Sequence, residues 1–239
     1  MRLGRKLSIV LAIPVILLAA ACFYSGPIAV YLVEKTCDLE RFQTAYDIDI
    51  NYKKSSLNFS RDLLFKDLSI ISRKTGFGFI CRNARIGPLF GPRNAALNFD
   101  LQDVNFAKET KEKDIRYDTI GALIATPFDN RWKYSHIRGR IEPAVQRIGI
   151  KDFELLSDDI RLIVNGDLFY NGTIESDIVI YFSPTLTAKI PPELANALLT
   201  GEKDGWMSLS VRVAGDPGKP AIQVSSKLFR LNIKAVSGT

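Results

Sequence analysis

One histidine, His136, stands in the 239-residue chain, with Tyr134, Ser135 and Arg138 near it. A lone imidazole cannot build a His-rich metal site, and no His-x-x-Glu-His or Cys-x-x-Cys spacing accompanies it. It reads as a surface or loop residue. Paired carboxylates occur at Asp158-Asp159 and at Asp47/Asp49. Such pairs can run glycoside hydrolysis, but adjacent ones mostly mark turns and alternate ones a solvated strand face. Gly76-Phe77-Gly78 lacks the following helix and the remaining glycine of a dinucleotide fingerprint. No catalytic residue, metal site or cofactor is expected, and the chain does not read as an enzyme.

The elements that carry these residues alternate apolar and polar side chains, as half-buried strands do. Ile48, Ile50 and Tyr52 alternate with polar neighbours, and so do Leu57 and Phe59. Further strands are predicted at Leu64–Ile71, Phe77–Ile80, Ala84–Ile86 and Ala95–Phe106. In the last of these the apolar face switches from Leu97, Phe99 and Leu101 to Val104 and Phe106, which predicts a bulge near Asp103. The run KETKEK at 108–113 reads as a solvated loop, and 115–133 carries no clear period although Ile120–Ala125 is apolar. Later, Ile148 and Ile150, then Phe153 and Leu155, belong to one strand or two, and further strands run through Asp159–Val164, Thr173–Phe182, Trp206–Val213, Ile222–Ser226 and Leu228–Ile233. Asn165-Gly166-Asp167 reads as a turn or bulge and Asn171-Gly172 as a hairpin turn. Pro191-Pro192 opens a short late helix, Glu193–Thr200, closed by Gly201. That helix either packs across the end of the sheet or plugs a groove mouth.

The N-terminus differs from everything downstream. Arg2, Arg5 and Lys6 precede an uncharged, mostly apolar run from Leu7 to Val33, and Glu34 and Lys35 follow it. A bilayer-spanning helix needs about 20 apolar residues. The expected organisation is a cytoplasmic tail at 1–6, a transmembrane anchor at 7–33, a connecting helix at 34–46 and a β-domain at 47–239. The basic end should stay in the cytoplasm, placing the bulk on the far side. Two rivals are a cleaved signal peptide using Ala19-Ala20-Ala21 and a lipoprotein signal ending at Cys22. The apolar residues Ile28–Val33 argue against the first. Ala19 in the lipobox and Phe23-Tyr24 after the cysteine argue against the second.

The formal charge of +6 does not imply nucleic acid. Three of the 32 basic residues lie in the first six positions, leaving 29 against 26 acidic ones. No Lys/Arg block with interleaved aromatics appears. Cys37 and Cys81 fall in the expected exported part, where a disulfide is permitted. Two separate thiols fit the sequence equally well.

Residues 46–90 and 145–226 resemble the AsmA-like family of bacterial envelope proteins. The stretch "YDIDINYKKSSLNFSRDLLFKDLSI", followed by "ARIGPLF", is similar to the family's start. "IGIKDFELLSDDIRLIVNGDLFYNGTIESDIVIYFSP" and "KIPPELANALLTGEKDGWMSLSVRVAGDPGKPAIQVS" are similar to its tail. Residues 107–144 match nothing clearly, and the chain is much shorter than long family members. The type II secretion protein N family has a related look. The resemblance implies a mainly β fold: a curved antiparallel sheet forming a groove whose apolar concave face holds lipid acyl chains. It implies a periplasmic lipid-binding or lipid-transfer protein of the inner membrane, acting in envelope or outer-membrane homeostasis. Groove-lining candidates are Ile174, Ile178, Ile180, Phe182, Leu209, Val211 and Val213, which adjacent strands should place on one face. The implied partners are phospholipid or another acyl-chain ligand and the inner membrane, with envelope proteins docking at sheet edges. The alternative is a structural adaptor of an envelope or secretion complex with a packed interior and no lipid cargo.

Overall fold

The computed structural model describes residues 43–44, 47–57, 62–74, 76–88, 96–107, 119–217, 219–226 and 230–234. The expected anchor and most of the connecting helix lie outside the described residues. Among the described residues no helix is long and apolar enough to cross a membrane.

The fold is mainly β, as the alternation predicts. Among the described residues thirteen strands form one open antiparallel sheet. They are β1 (Ile48–Asn51), β2 (Lys54–Leu57), β3 (Leu63–Ser72), β4 (Gly78–Gly87), β5 (Leu97–Ala107), β6 (Lys133–Pro143), β7 (Arg147–Leu156), β8 (Ile160–Phe169), β9 (Ile174–Phe182), β10 (Thr200–Gly201), β11 (Met207–Gly215), β12 (Ala221–Ser225) and β13 (Arg230–Lys234). The order is β1-β3-β4-β5-β6-β7-β8-β9-β11-β12-β13, with β2 also on β3 and β10 on β11. From β3 to β9 each strand pairs with its successor, and short connections fix the register locally at β3-β4, β6-β7, β7-β8 and β8-β9. Among the described residues three short α-helices interrupt the meander: α1 (Ile120–Ala125), α2 (Pro184–Thr187) and α3 (Pro192–Leu198).

The sequence predicts one late helix, and α3 is that helix, ending two residues earlier than expected. The unreadable segment hides α1. Its six residues are too few to show a helical period, but Thr119 caps it by accepting the Ala122 N–H at 3.2 Å. In α2, Ser183 caps and Pro184 occupies the first turn.

One apolar face runs across the sheet. Cross-strand partners place Phe65, Ala84, Leu101, Ile137, Leu155, Leu162, Ile180 and Leu209 in a single row over eight strands. All but Phe65 are buried. A second feature breaks the simple alternation. The inward residues step by three rather than two from Phe65 to Leu68, Cys81 to Ala84, Leu101 to Val104 and Tyr134 to Ile137. The break lies on one line, where Asp67 faces Arg82, Arg82 faces Asp103 and Asp103 faces Ser135. Asp67 and Asp103 have φ of 51° and 53°, the left-handed region that Asp tolerates better than most residues. The face switch near Asp103 is therefore part of a line through four strands, but the bulge expected there is absent, since β5 keeps its register against both β4 and β6. Because all four reset together, the register survives. In β7 the same reset occurs at Asp152, φ 50°, but here the register shifts against both β6 and β8. That is a one-residue bulge.

The turn or bulge expected at Asn165-Gly166-Asp167 is not a turn, and the bulge beside it lies on β7. These residues continue β8 and pair with Asp177, Ser176 and Glu175 of β9. A Cβ on Gly166 would lie 2.4 Å from the Glu175 carbonyl oxygen, so glycine marks a close strand approach. Asn165 serves the neighbouring bulge, its Oδ1 accepting the Asp152 N–H at 2.9 Å.

Candidate functional site

The seven groove-lining candidates lie on one face of two adjacent strands. Ile180 pairs with Leu209 and Ile178 with Val211, while Val213 sits opposite Ser176 and Ile174 opposite Gly215. Phe182 ends β9 beside Met207. Every one of the seven is between 0 and 7% exposed. On β8, Ile160, Leu162 and Val164 extend the same surface.

The segment between β9 and β11 adds to the same cluster. Leu186, Ile190, Ala195, Leu198 and Leu199 are buried in the same apolar cluster. The segment is held at both ends: Ser183 Oγ donates to Asp159 Oδ1 at 2.6 Å and accepts the Leu186 N–H. Ser208 Oγ donates to Glu202 Oε1 at 2.7 Å. Between β5 and β6, α1 contributes Leu123 and Ile124 to the cluster, and the buried Tyr134 hydroxyl donates to the Pro127 carbonyl. Both helical segments lie at the sheet end where β1 begins, since Ile48 pairs with Ser72 and the pairings carry that end through Ala107 and Phe182.

The residues with chemical potential sit apart from this surface. His136 Nδ1 lies 3.2 Å from Asp100 Oδ1 on the polar face, and Ser135 Oγ donates to the Leu156 carbonyl. Asp159 holds Ser183, and Asp49 pairs with Arg73 at 2.7 Å. Gly76, φ 63°, turns β3 into β4, and Phe77 stacks on Phe106 in the core. Cys81 is a free, buried thiol, and burial pushes it up to about 12. Among the described residues no group of three or more His, Cys, Asp or Glu side chains could hold a metal ion.

A feature the sequence does not disclose is an ion cluster on the polar face. Glu154, 8% exposed, receives Arg138 at 2.6 Å and Arg161 at 2.7 Å. Burial would raise its carboxyl, but the hydrogen bonds and charges of the two arginines hold it below its ordinary value. Arg161 also lies over the Tyr181 ring, 5.7 Å from its centroid. With Asp100, Arg140 and Asp152 these residues line a hollow of about 530 Å³. Arg140 pairs with Glu142 at 2.9 Å. The hollow's three guanidinium groups balance its three carboxylates, so the cluster pins β6, β7 and β8 together beside the bulge. Only the alternation of charge hinted at it; which charges meet depends on the shifted register.

Neither a protein-family model nor a curated protein nor a solved structure matches this chain.

Proposed function

We propose that this is a membrane-tethered envelope protein whose sheet curls into an apolar groove that binds or passes lipid acyl chains. The observation that carries the reading is the row of apolar side chains across eight strands of a single sheet. Among the described residues no second sheet covers that face. Helices of six, four and seven residues offer little cover for a path of eleven strands about 4.8 Å apart. Curling of the sheet on itself supplies the remaining burial and gives an interior lined by Ile174, Ile178, Ile180, Phe182, Leu209, Val211 and Val213. The uncharged run 7–33 supplies the tether, and the AsmA-like resemblance points the same way. No reacting group is needed, because acyl chains are held by burial alone.

The test is photocrosslinking of the full chain in cells fed a photoactivatable fatty acid. Adducts should map to peptides covering 174–182 and 207–213. Adducts confined to 1–33 would leave only a lipid-embedded tether and sink the groove reading.

A second reading has its own observation. The seven side chains are already shielded, and the sheet order ends at β1 and β13 with no further strand among the described residues. A filled interior with open edges suits a protein adaptor that docks by strand addition. Stable protein crosslinks at the β13 edge, with no lipid adduct on β9 or β11, would favour it.

A further inference from the structure

The two most exposed large apolar side chains among the described residues are Val145, 92% exposed, and Tyr170, 62% exposed. They sit on neighbouring turns, Ala144–Gln146 between β6 and β7 and Tyr170–Thr173 between β8 and β9. Tyr170 bridges the two: its N–H donates to the Gln146 carbonyl and its hydroxyl to the Ala144 carbonyl, both at 3.2 Å. These turns lie at the sheet end opposite the one where the chain enters β1. We infer that this two-turn tip inserts shallowly into a lipid bilayer, giving the protein a membrane contact separate from its N-terminal tether.

Three properties favour a bilayer over a protein partner. First, none of the seven tip residues, Ala144, Val145, Gln146, Tyr170, Asn171, Gly172 and Thr173, is Asp, Glu, His, Lys or Arg. Charge is the main barrier to entering lipid. Behind the tip each charge has a partner: Arg147 pairs with Asp167 at 2.9 Å, Glu142 with Arg140 at 2.9 Å, and Glu175 with Arg212. Second, part of the tip's backbone is satisfied from within. Ala144 N–H donates to the Arg147 carbonyl, Gly172 N–H to the Phe169 carbonyl, and Thr173 N–H and Oγ1 to Asn171 Oδ1. Each such pair lowers the cost of losing water at a shallow depth. Third, two protruding side chains fall far short of the roughly 1,200 Å² that a stable protein interface buries, whereas a tyrosine beside an aliphatic residue matches the membrane–water boundary.

The inference rests on the membrane-tethered reading but not on a lipid cargo. The test places the full chain in vesicles of phosphatidylethanolamine and phosphatidylglycerol. An environment-sensitive nitrobenzoxadiazole label is put at Val145→Cys, with Cys22→Ser and Cys37→Ser and the buried Cys81 retained. A second sample carries the label at Ser210→Cys on the polar face of β11. Label at 145 should show blue-shifted emission and be quenched by nitroxide lipids. Quenching by host-bilayer lipids identifies the tethering membrane, and quenching by separately added vesicles identifies a second one. Label at 210 should stay aqueous, and Tyr170→Asp should return the 145 label to aqueous emission. Vesicle flotation reports the tether independently. Floating protein whose 145 label stays aqueous with both vesicle sets overturns the inference, as does a lipid-exposed label unaffected by Tyr170→Asp.

Discussion

Strands β3 to β7 and strands β8 to β12 bury the same apolar face by different backbone means. In β8, β9, β11 and β12 the buried residues follow a period of two without a break, from Ile160 to Val164, from Ile174 to Phe182 and from Leu209 to Val213. In β3 to β7 every strand skips once, and three of the skips sit on an aspartate with positive φ. A regular strand keeps its side chains on one face only while its neighbours keep the same twist. A left-handed residue re-aims the strand and restores the face after it has drifted. The comparison also uncovers a recurrence within the first half: FKDLSI at Phe65–Ile70, LQDVNF at Leu101–Phe106 and IKDFEL at Ile150–Leu155. Each reads apolar, polar, Asp, apolar, polar, apolar, on every second strand.

The largest expected effect tests whether both halves are packed alike. Phe182→Ala in β9 and Phe99→Ala in β5 should each destabilise by about 3–5 kcal/mol, as large-to-small core changes do. Phe99 fills the space left by Gly139, whose Cβ would meet its ring at 2.6 Å. Urea denaturation showing a much smaller loss at Phe99 would mean the reset half is loosely filled.

The next effect is specific to the aspartates. Asp103→Val should cost roughly 1–3 kcal/mol, since a β-branched residue resists positive φ. Asp103→Gly should be tolerated far better. The matching change in the regular half, exposed Asp177→Val, should stay within about 0.5 kcal/mol. Thermal melts of the three variants decide it, and equal losses at 103 and 177 would remove the distinction between the halves.

A smaller effect lies where the halves join. Glu154 links β6, β7 and β8 through Arg138 and Arg161, and its folded carboxyl is held below its ordinary value. Its contribution is complete above the ordinary carboxylate range and is lost as pH falls through the lowered folded value. Glu154→Gln should lower stability at neutral pH and shrink the stability difference between neutral and acid. An unchanged pH profile would show that the cluster is solvent-screened and decorative.

The smallest effect is a silence. Cys81, pushed up to about 12 between Leu68 and Val104, should not react with iodoacetamide at mildly alkaline pH until the protein unfolds. Rapid labelling of native protein would show that the first half opens locally.

The recurrence was present in the residues, yet it escapes a search for fixed-period repeats because its copies are 36 and 49 positions apart and all three share only one identical residue, the aspartate. It becomes legible once the register aligns the strands. The helix α1 was hidden for another reason: Leu123 and Ile124 are buried by tertiary packing, and six residues carry too little periodicity to announce it. The polar-face cluster at Glu154 escaped because its charges come from three strands, and sequence distance says nothing about which side chains meet.

Sequence by itself determined the mainly β class, the shared face of the seven candidates on β9 and β11, the face switch near Asp103 and the late helix. These are local properties: a period of two, a turn residue or a proline acts over a few neighbours and leaves its mark in order. Tertiary structure alone decided that all four strands from β3 to β6 reset on one line, that Gly166 serves a close strand approach instead of a turn, that Cys81 is a free buried thiol, and that Val145 and Tyr170 meet at one end. Each of these depends on which strand lies beside which, and that pairing is chosen by the burial of the whole apolar face.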